Sequence, residues 1–207
     1  MAQITTGFRS VFSHPSIYNM AQRIIGAERA RRILVRDYFP PMGGRRMLDI
    51  GCGTAEILRH LPGNMEYVGF DASEAYIEEA KQTFGHRGSF RAELVGEAAL
   101  QEMQLFDVAL AFGLLHHLDD AETGELFALA ATSLKPGGVL ITVDPVFTSG
   151  QHPIARWLIS RDRGRNVRQP EGYEALAKVS FPVVRTHLRS DLLRLPYNHM
   201  IMQCSLS

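Results

Sequence analysis

An α/β fold built on a mostly parallel, doubly wound sheet is predicted by three features of the sequence. Arg46 to Leu61, RMLDIGCGTAEILRHL, runs an apolar strand into a tight glycine turn that opens directly into a helix. Apolar strands and amphipathic helices then alternate from Tyr67 to Val143, the pattern of strand–helix–strand crossovers. Near the end, Val183 to Leu188 and Met200 to Cys204 alternate as two strands joined through a turn at Leu195-Pro196-Tyr197-Asn198.

Taken in order, Pro15 to Phe39 reads as one or two helices. Ile17, Met20, Ala21, Ile24 and Ile25 recur at helical spacing, then Ala30, Ile33, Leu34 and Tyr38 do so, with Gly26 between. Pro40 to Gly44 breaks the pattern before the first strand, whose buried residues are Met47, Leu48 and Ile50. Gly51 and Gly53 allow backbone angles and a close approach that a Cβ would forbid. Thr54 reads as the N-cap of the next helix, with Ile57, Leu58 and Leu61 on its inner face and Pro62-Gly63 ending it. The free N–H groups at its start favour a polar or anionic ligand group on the turn. Glu56 stands where a dinucleotide fingerprint has its third glycine, and with Asp49 it argues against a pyrophosphate.

The second strand, Tyr67 to Phe70, ends in Asp71 about 20 residues past the first glycine, where a carboxylate can accept both hydroxyls of a ribose. Ser73 caps a helix with Ile77, Ala80 and Phe84 on one face, Gly85 stops it, and a third strand lies near Ser89 to Leu94. Leu105 to Leu118 holds the fourth strand and a loop bearing His116 and His117. Asp119 or Asp120 caps a helix with Leu126, Ala130 and Leu134 on one face and Phe127 and Ala131 beside them. The fifth strand, Val139 to Val143, is entered through Pro136-Gly137-Gly138. From Val146 to Ser180 a polar, arginine-dense insertion carries short helices at His152 to Ile159 and Glu171 to Val179.

The stretch D-I-G-C-G-T-A, Asp49 to Ala55, resembles the first motif of class I S-adenosylmethionine-dependent methyltransferases. Tyr67 to Asp71, Leu105 to Leu118 and Leu134 to Asp144 are similar to that family's second, fourth and fifth strands, in the same order. Histidine pairs after the fourth strand also occur in its small-molecule, ubiquinone-biosynthesis-like branch. The resemblance implies a Rossmann-like sheet of seven strands, mostly parallel with the last antiparallel, in one domain. It divides residues 1–207 into a helical lid at 1–42, a cofactor core at 43–145, the insertion beside the acceptor site at 146–180 and a strand hairpin at 181–207. It also implies S-adenosylmethionine as cofactor, bound by Asp49, Gly51, Cys52 and Gly53 on the turn and by Asp71 and Ala72 after the second strand. Glu97 and Ala98 would meet the adenine, Glu93 competing for that place, Phe112 and Gly113 would follow the fourth strand, and Tyr18 would reach the methionine end from the lid.

The reaction so implied is methyl transfer to a small-molecule acceptor, O-methylation first among the options. It is an in-line displacement in which positioning carries much of the barrier reduction. A base is needed only for a weakly acidic acceptor, and His116, His117 and His152 are the candidates because histidine titrates near neutral pH. Lys+Arg and Asp+Glu balance at 22 each, so no global field draws the chain to a polyanion. Locally, Arg156, Arg161, Arg163, Arg165 and Arg168 outnumber Asp162, Glu171 and Glu174, and Arg156, Arg161, Arg163 and Arg168 are assigned to an anionic group of the acceptor.

Nucleic acid is not the expected partner, since five arginines are a small footprint for a polyanion. A tRNA or rRNA methyltransferase is the alternative, and a catalytically silent cofactor-binding domain the other. No metal site is expected. His117-x-Asp119 matches part of a ferrous-iron triad, yet lies in a strand-to-helix loop rather than a barrel. Asp144-Pro145-Val146-Phe147 is similar to the D-P-P-Y loop of nucleobase methyltransferases, yet follows the fifth strand rather than the fourth. Cys52 and Cys204 are too few for a disulfide framework, and no stretch approaches the about 18 apolar residues of a membrane helix, so a cytoplasmic location is expected. The acceptor atom and the oligomeric state stay open at this level.

Overall fold

The computed structural model describes residues 26–162 and 164–207. Tyr18, the apolar run from Ile17 to Ile25, and Arg163 lie outside the described residues. Helix α1 (Ala27–Tyr38) buries Ala27, Ala30, Ile33, Leu34 and Tyr38, the face its spacing predicts. That face sits in the same cluster as Leu58, Ile141, Val143 and Ile201, so α1 is built into the core.

Strands β1 (Arg46–Ile50), β2 (Glu66–Phe70), β3 (Ser89–Arg91), β4 (Phe106–Phe112), β5 (Leu134–Pro145), β6 (Val183–Arg189) and β7 (His199–Ser205) form one sheet. Their order is β3-β2-β1-β4-β5-β7-β6. β1 pairs in parallel with β2 and β4, β2 with β3, and β4 with β5, whereas β7 runs antiparallel to both its neighbours. Only the last strand opposes the rest, as expected. Successive residues of a strand face opposite sides, so the sheet splits the core in two. Met47, Val108, Leu110 and Ile141 face α1 and α2 (Glu74–Phe84), while Leu48, Ile50, Ala109 and Leu140 face the helices of the other layer. The strand order reverses between β1 and β4, which places a crevice at the carboxyl ends of those two strands.

Two strand boundaries differ from expectation. β3 ends at Arg91 rather than near Leu94, because it is an edge strand paired through three residues and Leu94 is 63% exposed among the described residues. β5 starts at Leu134, which pairs with Phe106, while Val139 pairs with Val108; Lys135 to Gly138 bulge out between them as the Pro-Gly-Gly turn. The caps resolve more cleanly. Ser73 accepts from the Tyr76 N–H to start α2, and a short α3 (Glu97–Gln101) follows β3. Asp119, not Asp120, caps α4 (Asp120–Ser133) in a reciprocal pair with Glu122. Helices α5 (Pro153–Ser160) and α6 (Pro170–Ser180) both begin on proline, where the missing N–H costs nothing. Among the described residues no helix is long and apolar enough to cross a membrane.

Candidate functional site

The crevice is floored by the turn after β1. Gly51 and Gly53 take φ of +74° and +55°, and the N–H groups of Gly51 and Cys52 both donate to the Phe70 carbonyl, at 2.8 and 2.9 Å. Asp71 braces the same turn: its Oδ2 accepts from the Gly53 N–H at 2.9 Å and its Oδ1 from the Ser73 N–H at 2.8 Å. Each carboxylate oxygen keeps a second lone pair for a hydroxyl donor. Gly69 fits the approach of β2, since a Cβ there would lie 2.8 Å from Cys52 Sγ.

The segment after this turn corrects the expectation of an α-helix capped by Thr54. Glu56–His60 is a 3-10 helix preceded by Ala55 at φ +56°, with no side-chain cap, and Thr54 is buried inside the turn. Over five residues the apolar positions Ile57, Leu58 and Leu61 suit a three-residue period as well as a 3.6-residue one, and Ala55 in the left-handed region breaks any α start.

A pocket opens here, lined by Arg31, Asp49, Gly51, Gly53, Glu56 and Phe112 among others. Asp49 is 2% exposed, and its Oδ2 accepts from the Tyr67 hydroxyl at 2.6 Å. Its Oδ1 has no hydrogen-bond partner among the described residues. Burial, with a contribution from Asp71, pushes the Asp49 carboxyl up to about 7 against the pull of the Tyr67 hydrogen bond and of Arg31. A buried acceptor left without a donor costs about 1–3 kcal/mol, so this wall favours a cationic donor. Arg31 brings the opposite charge to the same pocket from α1, its guanidinium 5.8 Å from the Phe112 ring centre. A carboxylate and a guanidinium across one small pocket match the ammonium and carboxylate of an amino acid. The Asp49 oxygen, the open space beside Gly53 and the Asp71 carboxylate therefore fit the methionine and ribose parts of S-adenosylmethionine.

Arg31 is silent in the sequence because periodicity reports only the apolar side of a helix. The other expected contacts fall unevenly. Phe112 lines the pocket, and Gly113 turns the chain out of β4 with its N–H donating to the Val143 carbonyl at 2.7 Å. Cys52 serves through its backbone, its thiol pushed up by burial and by the carboxylates of Asp49 and Asp71. Ala72, Glu97 and Ala98 are exposed at the carboxyl ends of β2 and β3, outside the walls of this pocket.

The histidines separate into three different roles. His116 lies in a 3-10 turn (Leu115–His117) after β4 and is 6% exposed. Its Nδ1 and backbone N–H both reach Asp144 Oδ1, at 2.8 and 3.2 Å, and its Nε2 lies 3.3 Å from Asp162 Oδ1. Burial disfavours the charged ring, yet Asp144 and Asp162 outweigh it and push His116 up to about 9. Both ring nitrogens thus face carboxylates, an arrangement that favours the charged ring and holds it in place. His152 is exposed and caps α5, its Nδ1 accepting from the Ile154 N–H at 3.2 Å, so that lone pair is already used. His117 is half-buried in the loop after β4, its ring 4.1 Å from that of His116.

The arginines separate too. Arg168 spends its guanidinium on Asp120, Thr123 and the carbonyls of Leu115, Leu118 and Asn166, which makes it a staple and takes it out of the acceptor assignment. Arg156 and Arg161 are exposed on α5 and just past it, stacked at 5.5 Å over Phe147 and at 4.6 Å over Trp157.

Asp49 gives the site a pH dependence. Its carboxyl must lose a proton to meet a bound cation, so the cation lowers the pKa of the carboxyl in the complex, and affinity is complete above about 7 and falls below it. S-adenosylhomocysteine, titrated by calorimetry from about pH 5.5 to about pH 8, is expected to weaken by nearly tenfold per pH unit below pH 7. Asp49→Asn should weaken binding at the alkaline end and flatten the profile. A flat profile for the unaltered chain would show that Asp49 meets no cation.

Residues 48–140 match the family model described as a methyltransferase domain. The chain is 31% identical over 178 residues to a ubiquinone biosynthesis O-methyltransferase of Brucella anthropi, covering 76% of this chain and 66% of that one. The pyocyanin biosynthetic protein PhzM superposes with a TM-score of 0.72 at 18% identity, over 98% of this chain and 63% of that one. Human N-acetylserotonin methyltransferase, solved in complex with S-adenosylmethionine, gives 0.67 at 16% identity, over 96% and 59%. The chain spans between a quarter and about two thirds of the length of the first curated relatives it matches.

Proposed function

Because the chain belongs to the class I S-adenosylmethionine-dependent methyltransferases, we propose that it carries the cofactor's methyl group to an oxygen of a small organic acceptor. The observation that carries this is that Arg31 and Asp49, whose Oδ1 has no hydrogen-bond partner among the described residues, line one pocket beside the glycine turn. When bound, the cofactor supplies a methyl group made electrophilic by a sulfonium. Asp49 takes its ammonium, Arg31 its carboxylate, and Asp71 its ribose hydroxyls, while Gly53 leaves the approach open. Tyr18, Ala72, Glu97 and Ala98 complete the binding of its two ends in this proposal.

Oxygen is favoured because relatives at about 30% identity are named O-methyltransferases. The acceptor lies on the side of the turn bearing His117, which takes its proton. An anionic group on the acceptor would be met by the guanidinium groups of Arg156 and Arg161, which follow β5 and are exposed. The test has two arms. Calorimetry is expected to give micromolar dissociation constants for S-adenosylmethionine and S-adenosylhomocysteine, with Arg31→Gln weakening both by about tenfold or more. Labelled S-adenosylmethionine is then offered 3,4-dihydroxybenzoate, a probe with phenolic oxygens and a carboxylate. Binding of NAD in place of either cofactor form would overturn the proposal.

A further inference from the structure

The insertion after β5 returns to the loop after β4 at several points. Asp162 Oδ1 faces His116 Nε2 at 3.3 Å and accepts from the Gly164 N–H at 3.1 Å, and its Oδ2 accepts from the Tyr197 hydroxyl. The Asn166 N–H donates to the His116 carbonyl at 3.0 Å. Gly164 packs so closely on His116 that a Cβ there would lie 2.0 Å from the ring carbon Cδ2. Arg168 then ties down the carbonyls of Leu115 and Leu118, at 3.0 and 2.9 Å. On its other side the same loop presses on the cofactor turn, with the Leu114 methyl groups 3.1–3.2 Å from the position of a Cβ on Gly51.

We propose that Asp162 and residues 164–168 form a strap, with Asp162 as a positioning residue that holds His116 from the side opposite Asp144 and so fixes the insertion against the loop after β4. This rests on reading that loop as the acceptor side of the site. Asp144 lies at the end of β5 and is 2% exposed, so without Asp162 only one carboxylate would hold the ring. Tyr197, in the segment joining β6 and β7, fixes the Asp162 carboxylate in turn. The strap thus ties together three segments far apart in sequence, and through Leu114 it sets the insertion relative to the cofactor turn. The groups facing His116 are Asp144 from β5, Asp162 from the strap, His117 stacked beside it, and His199 on β7, which burial holds down at about 4 and so keeps neutral. Loss of Asp162 therefore leaves no other carboxylate to replace it among these.

The test compares the full chain with Asp162→Asn and Gly164→Ala. In the unaltered chain, nitrogen-15 spectra of the histidine side chains are expected to show His116 doubly protonated up to about pH 9. In Asp162→Asn it should titrate about one to two pH units lower, and the Asn166 amide should exchange its hydrogen about tenfold faster or more. S-adenosylhomocysteine affinity should stay within about threefold, which separates a failed strap from a failed cofactor reading. Gly164→Ala displaces the strap while keeping both charges, and should speed Asn166 exchange even if Asp162→Asn does not fold. Unchanged His116 titration together with unchanged Asn166 protection in Asp162→Asn would overturn the proposal, as would unchanged Asn166 protection in Gly164→Ala.

Discussion

Gly51→Val is expected to abolish cofactor binding, a loss of at least about 100-fold, while the chain still folds. Gly51 sits at φ +74°, which a β-branched residue adopts at a cost of about 1–3 kcal/mol. A Cβ there would stand 3.1 Å from a Leu114 methyl, so the loop after β4 must give by a few tenths of an ångström. That cost is a fraction of the about 5–15 kcal/mol that holds a domain together, and the relaxed element is the one that shapes the pocket. Gly53→Val separates strain from blockage. Its φ is +55°, yet among the described residues no atom beyond its chain neighbours lies within 4 Å of its added Cβ, so the branches of valine would project toward the pocket. Circular dichroism reports folding and calorimetry with S-adenosylhomocysteine reports binding. If Gly53→Val binds normally, the ligand does not approach the backbone there and the site assignment fails.

Much of this was legible in the sequence, for identifiable reasons. Apolar runs bounded by a glycine turn or a terminal acid predict β1, β2, β4 and β5, because both signals are local and each strand is buried on two faces. Asp71 was legible for the same reason, as the residue at the end of a short apolar run. What the sequence hid was charge pairing across distance. Counting arginines between Val146 and Ser180 predicts a local surplus but cannot see that Arg168 is spent on carbonyls near residues 115–118. The histidine pair is visible as a motif, yet Asp144 and Asp162, which engage both ring nitrogens of His116, are brought to it only by the tertiary fold. Arg31 was hidden because one cation on the polar side of an amphipathic helix looks like an ordinary solvated residue. The 3-10 helix was hidden because five residues hold too few turns to distinguish two periods.

His116→Gln is expected to lower stability by roughly 3 kcal/mol at neutral pH, with a pH profile that identifies the cause. Glutamine keeps a hydrogen-bond donor near Asp144 but removes the charge shared by the buried Asp144 and the partly exposed Asp162. Breaking such a cluster by deleting one partner leaves uncompensated charge in the interior, which is costlier than the net value of the intact pair. The sign of the pH dependence follows from His116 being raised from 6.5 to about 9 in the folded chain. Its contribution is complete below pH 6.5 and is lost as pH rises through 9, on the order of 3 kcal/mol in all. For a chain of 207 residues that is a fall in melting temperature of about 6–12 °C. Thermal melts of both chains between about pH 6 and about pH 10 should therefore converge at the alkaline end, the unaltered chain losing a step that the variant lacks. Parallel curves would place the alkaline loss elsewhere and leave His116 an ordinary buried imidazole.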